Sequence, residues 1–130
     1  MFNHIMVGSN DIERSARFYG AVLGVLGAGE PFRHRAPSGH QRLFYRHDGN
    51  SFGVSEPIDG GPATCANGAT IGFKCNSPEQ VHQFHDTAVA AGGTSIEAPP
   101  GLRSSDMGQL YLAYVRDPDG NQLCAIHRPK

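Results

Sequence analysis

The stretch Asp117-Pro118-Asp119-Gly120-Asn121-Gln122-Leu123-Cys124 decides the fold. Asp-Gly between two runs of alternating apolar residues predicts a β-hairpin, because glycine accepts the positive φ of a tight primed turn. A weaker copy, Asp48-Gly49-Asn50, lies upstream between two further strand-like runs. This repetition suggests that the chain contains the same unit twice.

Working outward from the two turns, the periodicity of apolar residues predicts strands and helices in the same order in each half. The second helix shows a capping-box pattern, with Ser77 at its N-cap, Pro78 at its first position and Gln80 three residues after the serine. The expected strands are 2–8, 31–35, 41–46, 51–55, 70–75, 94–99, 110–116 and 122–127, with helices beginning after Asn10 or Asp11 and after Ser77. A loop is expected over 100–108.

Aligning the halves makes the repeat explicit. His4 lies on Thr70, and the two Asp-Gly turns place Gly53 opposite Cys124. The two modules are residues 1–56 and 69–130, and a linker rich in glycine and proline spans 57–68. Neither half covers its own sheet well, so we expect the modules to pack side by side.

Length and charge narrow the class of protein. A chain of 130 residues forms one domain of ordinary size, and its formal net charge is −1 with no basic run. We therefore expect neither nucleic acid nor a membrane as a partner. Three cysteines and no secretion signal favour the cytoplasm.

These motifs resemble the vicinal oxygen chelate superfamily. The resemblance rests on His4-Ile5-X-Val7 before the first helix, Ala91-Gly92-Gly93 after the second helix and Val115 to Asn121 at the hairpin. That group includes glyoxalase I, bleomycin-resistance proteins, fosfomycin-resistance enzymes and extradiol dioxygenases. It implies an α+β fold in which two βαβββ modules form a partly open, curved mixed-sheet barrel around a cleft, often in a dimer.

Strand alternation predicts which residues line this cleft, since those between the helix-facing apolar positions point the other way. The predicted lining is Phe2, His4, Met6, Ser51, Gly53, Ser55, Thr70, Gly72, Gln122, Cys124 and Ile126. Arg103, in the predicted loop, either meets an anionic ligand at the mouth of the cleft or is an ordinary solvated side chain.

The resemblance also implies where a divalent metal would be held, with His on the first strand of each module and Glu on the last. Those positions are His4, Gly53, Thr70 and Cys124, and only His4 has the expected residue type. Glycine offers no ligand, a neutral threonine hydroxyl is a poor one, and Mg²⁺, Mn²⁺ or Fe²⁺ prefer a carboxylate to a thiol. We predict that this metal site is lost and that no cofactor is bound.

Other candidate chemistry is weaker. Cys124 could be a nucleophile activated by His4, although a small core cysteine and a satisfied histidine are the simpler interpretations. His82, His85 and Asp86 have a spacing that could hold zinc, but an ordinary helix surface is the simpler interpretation.

The predicted function is the binding of a small organic molecule in the cleft of a homodimer. The alternative is a metal-dependent lyase, isomerase or dioxygenase whose ion lies elsewhere. A scaffold with a vestigial cleft is a third hypothesis, which a cleft packed solid by Phe2, Met6 and Ile126 would favour.

Overall fold

The computed structural model describes residues 1–129, an α+β chain of two helices and eight strands. In chain order the elements are β1 (His4–Gly8), α1 (Ile12–Val25), β2 (Phe32–Arg35), β3 (Gln41–His47), β4 (Asn50–Ser55), β5 (Ile71–Lys74), α2 (Pro78–Ala90), β6 (Thr94–Ser105), β7 (Gly108–Arg116) and β8 (Gln122–His127). None of the described helices is long and apolar enough to cross a membrane.

The strands form two four-stranded sheets of identical order. The first is β1-β4-β3-β2 and the second is β5-β8-β7-β6. β1 pairs in parallel with β4, and β5 pairs in parallel with β8. Met6 pairs with Gly53 in the first sheet, and Gly72 pairs with Cys124 in the second. Gly53 and Cys124 are therefore equivalent, and the predicted pair of βαβββ modules is confirmed.

Each helix begins at a side-chain cap. Asp11 accepts a hydrogen bond from the Arg14 backbone N–H at 3.0 Å, and Ser77 accepts one from Gln80 at 3.1 Å. The Gln80 side chain reaches back to the N–H of Asn76 at 2.7 Å, one residue before the position that a capping box uses. Two orphan donors at the start of α2 are thus satisfied.

One hydrophobic core joins the two modules. A chain of aromatic contacts runs through it, with centroid separations of 4.9, 4.8, 5.4 and 5.5 Å, through the rings of Phe18, Tyr19, Phe52, Phe73 and Phe84. The contact between Phe52 and Phe73 crosses from the first sheet to the second. Both sheets therefore turn one face to the same helix-covered core and the other away from it.

β6 is much longer than predicted, and the loop expected over 100–108 is wrong. The pairing of β6 with β7 shifts register between Ile96 and Gly101, and it then continues to Ser105, which lies opposite Gly108. The two prolines, Pro99 and Pro100, lie inside this irregularity of an edge strand, where no ladder donor is required. The connection to β7 is consequently a tight turn.

The two Asp-Gly turns differ. Asp48 and Gly49 have φ of 55° and 84°, which fits a two-residue primed turn between His47 and Asn50. In the downstream turn only Gly120 has positive φ, at 96°, and five residues separate the paired ends of β7 and β8. The primed turn expected there is wrong, because Pro118 fixes a negative φ at the first central position.

The downstream turn is anchored to α1 by a polar network. Asp117 is 4% exposed and accepts a hydrogen bond from the Tyr19 hydroxyl at 2.5 Å. Asp119 forms an ion pair with Arg14 at 2.8 Å. Burial, followed by the charge of Asp117, raises the pKa of Tyr19 well above its ordinary value. The C-terminal hairpin is thereby fixed to the helix of the other module.

Candidate ligand-binding site

The face of each sheet that points away from the helices carries most of the predicted lining. Phe52, Val54, Leu123 and Ala125 are buried in the shared core, as the alternation predicted. Their strand neighbours therefore lie on what we call the first and second helix-free faces, belonging to the first and second sheets.

The first helix-free face consists of three rows of paired residues. The strand registers give the rows His4–Ser51–Arg46, Met6–Gly53–Phe44–Phe32 and Gly8–Ser55–Arg42–His34. The middle row is mainly apolar, and arginine and histidine occur in both outer rows. This face is therefore basic and aromatic, whereas the sequence suggested a small and neutral lining.

The second helix-free face is apolar at its centre, and the strand registers place Lys74, Arg103 and Arg116 around that centre. Cys124 is buried against Leu110 and Leu112, with Tyr114 and Ile126 partly buried beside them. Burial raises the pKa of the Cys124 thiol to about 11 even though a hydrogen bond from Tyr114 opposes the shift. A thiol of this kind is protonated at neutral pH and is a poor nucleophile.

A pocket of about 510 Å³ lies between the two sheets, beside the C-terminal end of α1, the β3–β4 turn and β5. Its lining combines apolar and polar side chains in nearly equal measure. It comprises Ile5, Leu23, Leu26, Ala28, Tyr45, His47, Asp48, Asn50, Ser51, Phe52, Ile71, Gly72, Phe73, Lys74, Cys75, Asn76 and Gln80. We call it the inter-sheet pocket. Of the predicted lining it contains Ser51 and Gly72, one from each module.

The four positions that correspond to the family's metal ligands lie outside this pocket. His4 is exposed, and its Nδ1 shares a hydrogen bond of 2.7 Å with the side chain of the adjacent Asn3. Thr70 is exposed and precedes β5, and Cys124 is buried as described.

A side chain at Gly53 would have to displace Met6. A Cβ atom at this position would lie 2.9 Å from Cε of Met6 and 3.3 Å from Cε1 of Phe44. These two side chains cover the place where a carboxylate would begin. Among the described residues, no group of three His, Cys, Asp or Glu side chains could hold a metal ion.

The remaining predicted residues are dispersed. Phe2 is 70% exposed ahead of β1. The Ser55 hydroxyl donates to the Glu56 carbonyl at 2.7 Å, and half-buried Gln122 pairs with Arg116. Arg103 lies within β6 and not in a loop, and it donates to the Pro99 carbonyl at 2.8 Å.

The histidines of α2 have protein partners. The exposed His82 shares a 2.6 Å hydrogen bond with the Tyr111 hydroxyl. His85 lies between Asp86 at 2.9 Å and the Ser95 hydroxyl at 2.8 Å. His82 thus has a partner of its own, apart from the bonded pair of His85 and Asp86.

Sequence reasoning missed the contribution of β3 to the first helix-free face. Arg42, Phe44 and Arg46 alternate with the core residues Leu43 and Tyr45. The Asp48-Gly49 turn contained the signal, because a two-residue hairpin fixes which residues of β3 and β4 are paired.

The chain belongs to the Glyoxalase/Bleomycin resistance protein/Dioxygenase superfamily, whose sequence profile it matches over residues 1–125. The crystal structure of a glyoxalase/bleomycin resistance protein from Albidiferax ferrireducens T118 is similar to it at 52% identity, with a TM-score of 0.92, covering 98% of this chain and 99% of that one.

More distant structures share the fold alone. A glyoxalase-related enzyme from Fulvimarina pelagi has 23% identity and a TM-score of 0.73, with 99% of this chain and 88% of that chain covered. A glyoxalase/bleomycin resistance protein/dioxygenase family enzyme from Burkholderia phytofirmans PsJN has 18% identity and a TM-score of 0.68, with 96% of each chain covered. Among curated proteins, none matches the sequence significantly.

Proposed function

We propose that this protein binds a small organic molecule at the inter-sheet pocket and does so without the divalent metal of its family. The observation that carries the proposal is the pocket itself, at about 510 Å³. Ligand sites usually measure roughly 300–1,000 Å³ and combine apolar walls with polar groups that fix the orientation of the ligand. Ser51 and Gly72 contribute small side chains from both modules, which keeps the space between the two sheets open.

The donor chemistry supports binding without metal. Four positions of this chain are equivalent to the metal ligands of the family, and His4 is the only one with an exposed side chain that binds metals strongly. Zinc requires about three or four protein ligands. Met6 and Phe44 occupy the space beside Gly53. The site residues therefore do not fit a metal ion, and we assign no catalytic step to one.

We further propose that the protein is a cytoplasmic homodimer. Phe32 is 59% exposed, Ile58 75% and Met107 72%, and burying these side chains against a second copy would be favourable. All three cysteines are free, which agrees with a reducing compartment. Sedimentation analysis should give twice the monomer mass at micromolar concentration, and a single monomeric species would contradict this proposal.

Metal content separates the proposal from the enzymatic alternative. Protein purified without chelator is expected to contain much less than one equivalent of Ni, Zn, Fe or Mn by elemental analysis, and added metal should leave its melting temperature unchanged. Near-stoichiometric metal that His4→Ala removes would instead favour a metal-dependent lyase, isomerase or dioxygenase.

Ligand binding can be measured with phenylnaphthylamine, a neutral apolar compound whose fluorescence rises when it leaves water. Gly72→Trp should abolish the signal, because the indole would fill the inter-sheet pocket and a Cβ at this position meets nothing closer than 3.9 Å. Gly20→Trp is the matched control, since Gly20 is exposed on α1 with nothing within 4 Å. Equal binding by both variants, or none by the unaltered protein, would favour a scaffold.

A further inference from the structure

A serine, a histidine and an aspartate form a hydrogen-bonded chain where α2 packs beside β6. His85 of α2 lies in the middle, with its Nδ1 2.9 Å from Oδ1 of Asp86 and its Nε2 2.8 Å from Oγ of Ser95. This order of contacts, carboxylate to Nδ1 and hydroxyl to Nε2, is the one in which an imidazole serves as general base for a serine nucleophile. None of the three residues lines the inter-sheet pocket, so the cluster is separate from the binding site proposed above.

The fold places these side chains on the helix-covered side of the second sheet. Ser95 pairs with Val115 of β7, whose side chain is buried in the shared core, so both residues point to the side on which α2 lies. His85 follows the buried Phe84 on α2, and 12% of its side chain is exposed. Ser95 is exposed, on the last strand of its sheet. The imidazole is therefore held against the protein, while the hydroxyl is open to solvent.

The partners of His85 determine which of its nitrogens carries the proton. An ionised carboxylate only accepts hydrogen bonds, so in the neutral imidazole Nδ1 bears the proton and donates it to Asp86. Nε2 then has a free lone pair, and the Ser95 hydroxyl is the donor of the second contact. The hydroxyl proton thus already points at the base that would accept it during attack on a carbonyl carbon.

A second serine–histidine contact in the chain has the opposite polarity. Ser38 Oγ lies within hydrogen-bond distance of His40 Nδ1, and His40 Nε2 accepts from Nε of Arg42 at 3.1 Å. A guanidinium only donates, so Nε2 of the neutral His40 has the lone pair and Nδ1 has the proton. That proton is donated to Ser38. Of these two serines, only Ser95 faces a base.

Two residues after Ser95, the strand leaves its regular geometry. Glu97 has a φ of 62°, which is uncommon for a residue other than glycine, and residues 97–100 have no partner in the register with β7. β6 has no neighbouring strand on its other edge. Bulges and strained residues recur beside active sites, and here the N–H groups of Glu97 and Ala98 are candidates to stabilise the charge that develops on a carbonyl oxygen.

We propose that Ser95 is a nucleophile toward carboxylic esters, with His85 as its general base and Asp86 as a positioning residue that fixes the imidazole tautomer. Oγ of Ser95 forms a bond to the acyl carbon, and its proton passes to Nε2 of His85. The bond from the acyl carbon to the leaving oxygen then breaks, and that oxygen receives the proton. Water attacks the acyl-serine in the same way, which releases the acid and restores the serine.

The exposure of the site indicates the class of ester. The side chain of Asp86 is 73% exposed and Ser95 is exposed, so water competes for both groups and little of a substrate would be enclosed. We therefore expect reaction with small esters of acidic alcohols, such as aryl acetates, whose leaving group departs readily.

The test uses p-nitrophenyl acetate, which releases a coloured phenolate as it acylates the protein. Every protein carries Cys65→Ala, because this exposed free thiol would also react. Ser95→Ala and His85→Gln should each release phenolate at least about tenfold more slowly, since a positioned general base contributes roughly 10²–10⁴-fold to such a step. Peptide mass spectrometry should find the acetyl group on Ser95. Ser38→Ala is the matched control, because this serine is also exposed and bonded to a histidine, and it should leave the rate unchanged.

Asp86→Asn tests the positioning role by itself. An asparagine amide can donate to Nδ1, which would move the proton of the neutral His85 to Nε2 and leave Ser95 without a base. Phenolate release should fall about tenfold, and the nitrogen NMR shifts of the imidazole should show that the protonated atom has changed from Nδ1 to Nε2. A fall in rate without this change of tautomer would contradict the role assigned to Asp86.

Equal rates for the parent protein, Ser95→Ala and His85→Gln would overturn the proposal, as would acetylation found only at other residues. Circular dichroism checks that Ser95→Ala, which removes one exposed oxygen, is folded; if it is not, His85→Gln and the position of the acetyl group decide. Ser95→Ala should bind phenylnaphthylamine as tightly as the unaltered protein, because Ser95 does not line the inter-sheet pocket. The failure of either proposal therefore leaves the other intact.

Discussion

The two modules have the same topology but use their equivalent parts differently. In the first module, the hairpin turn at Asp48 and Gly49 is exposed and local, and the helix-free face is basic. In the second module, the turn from Asp117 to Asn121 is partly buried and bonded to the other module, and the centre of the helix-free face is a buried apolar cluster around Cys124. The comparison teaches that one repeated motif can set strand register in one place and hold two modules together in the other.

The largest difference is expected between the two turn aspartates. Asp117→Asn should lower the free energy of unfolding by about 3 kcal/mol or more, because its carboxylate accepts hydrogen bonds from Tyr19 and from the turn backbone that an amide cannot all replace. Asp48→Asn should cost less than about 0.5 kcal/mol, since this residue is exposed and asparagine tolerates positive φ. Urea denaturation measures both losses. Equal losses would mean that the contacts between the downstream turn and α1 add no stability.

Alkaline pH should affect the second module first. Burial raises the pKa of both Cys75 and Cys124 from 9.0 to about 11, and that of Tyr45 in the first module from 10.0 to about 12. Below pH 9 the thiols are protonated in both states and their contribution is complete. Above it the unfolded chain releases protons first, so stability falls until the pH passes about 11.

Each thiol should account for about 2–3 kcal/mol of this loss. Cys124→Ser should therefore flatten the decline between pH 9 and 11 in urea denaturation, whereas Tyr45→Phe should alter it only above pH 10. The same burial predicts that exposed Cys65 reacts with iodoacetamide at pH 7 while Cys124 does not. Fast labelling of Cys124 would revive the hypothesis that His4 activates it.

A smaller effect is expected from placing a carboxylate at the position of the first module that is equivalent to Cys124. Gly53→Glu should destabilise the protein by about 1 kcal/mol, because its Cβ would displace the flexible end of Met6 and press on the ring of Phe44. Adding Met6→Ala should recover part of this loss in thermal denaturation. No recovery would show that the backbone, and not Met6, excludes a side chain there.

The smallest difference is expected between the helix caps. Asp11→Ala and Ser77→Ala should each cost about 1 kcal/mol, because each removes one acceptor for a backbone N–H at the start of a helix. Urea denaturation of both variants would reveal a departure from this equivalence. A markedly larger loss for Ser77→Ala would indicate that the Gln80 contact to Asn76 depends on the cap.

The sequence predicts the parts of the structure that depend on local geometry. The turn residues, the caps and the alternation of apolar residues were sufficient to place all the strands and the equivalence of Gly53 with Cys124. The continuation of β6 was hidden, because Pro99 and Pro100 mark a loop unless the strand is known to be an edge. The burial of Asp117 depends on Tyr19, 98 residues away in the chain, and no local pattern reports such a pairing.

The candidate site was predicted less completely than the fold. Alternation found Ser51 and Gly72, which line the inter-sheet pocket. The pocket forms where the end of α1 and the β3–β4 turn approach β5, and strand patterns do not predict which distant segments meet. The arginines of β3 were accessible from the hairpin register, yet charged residues beside a turn look like an ordinary solvated surface.

The aromatic contacts that run from Phe18 to Phe84 also bear on how a chain of this kind could have arisen. The ring of Phe52 in the first module touches that of Phe73 in the second, at a centroid distance of 5.4 Å. A half-length ancestor with one βαβββ module would have exposed this side of its sheet to water. Such a chain would have needed a second copy of itself to cover the same rings, so duplication and fusion would have turned an encounter between two molecules into a contact within one.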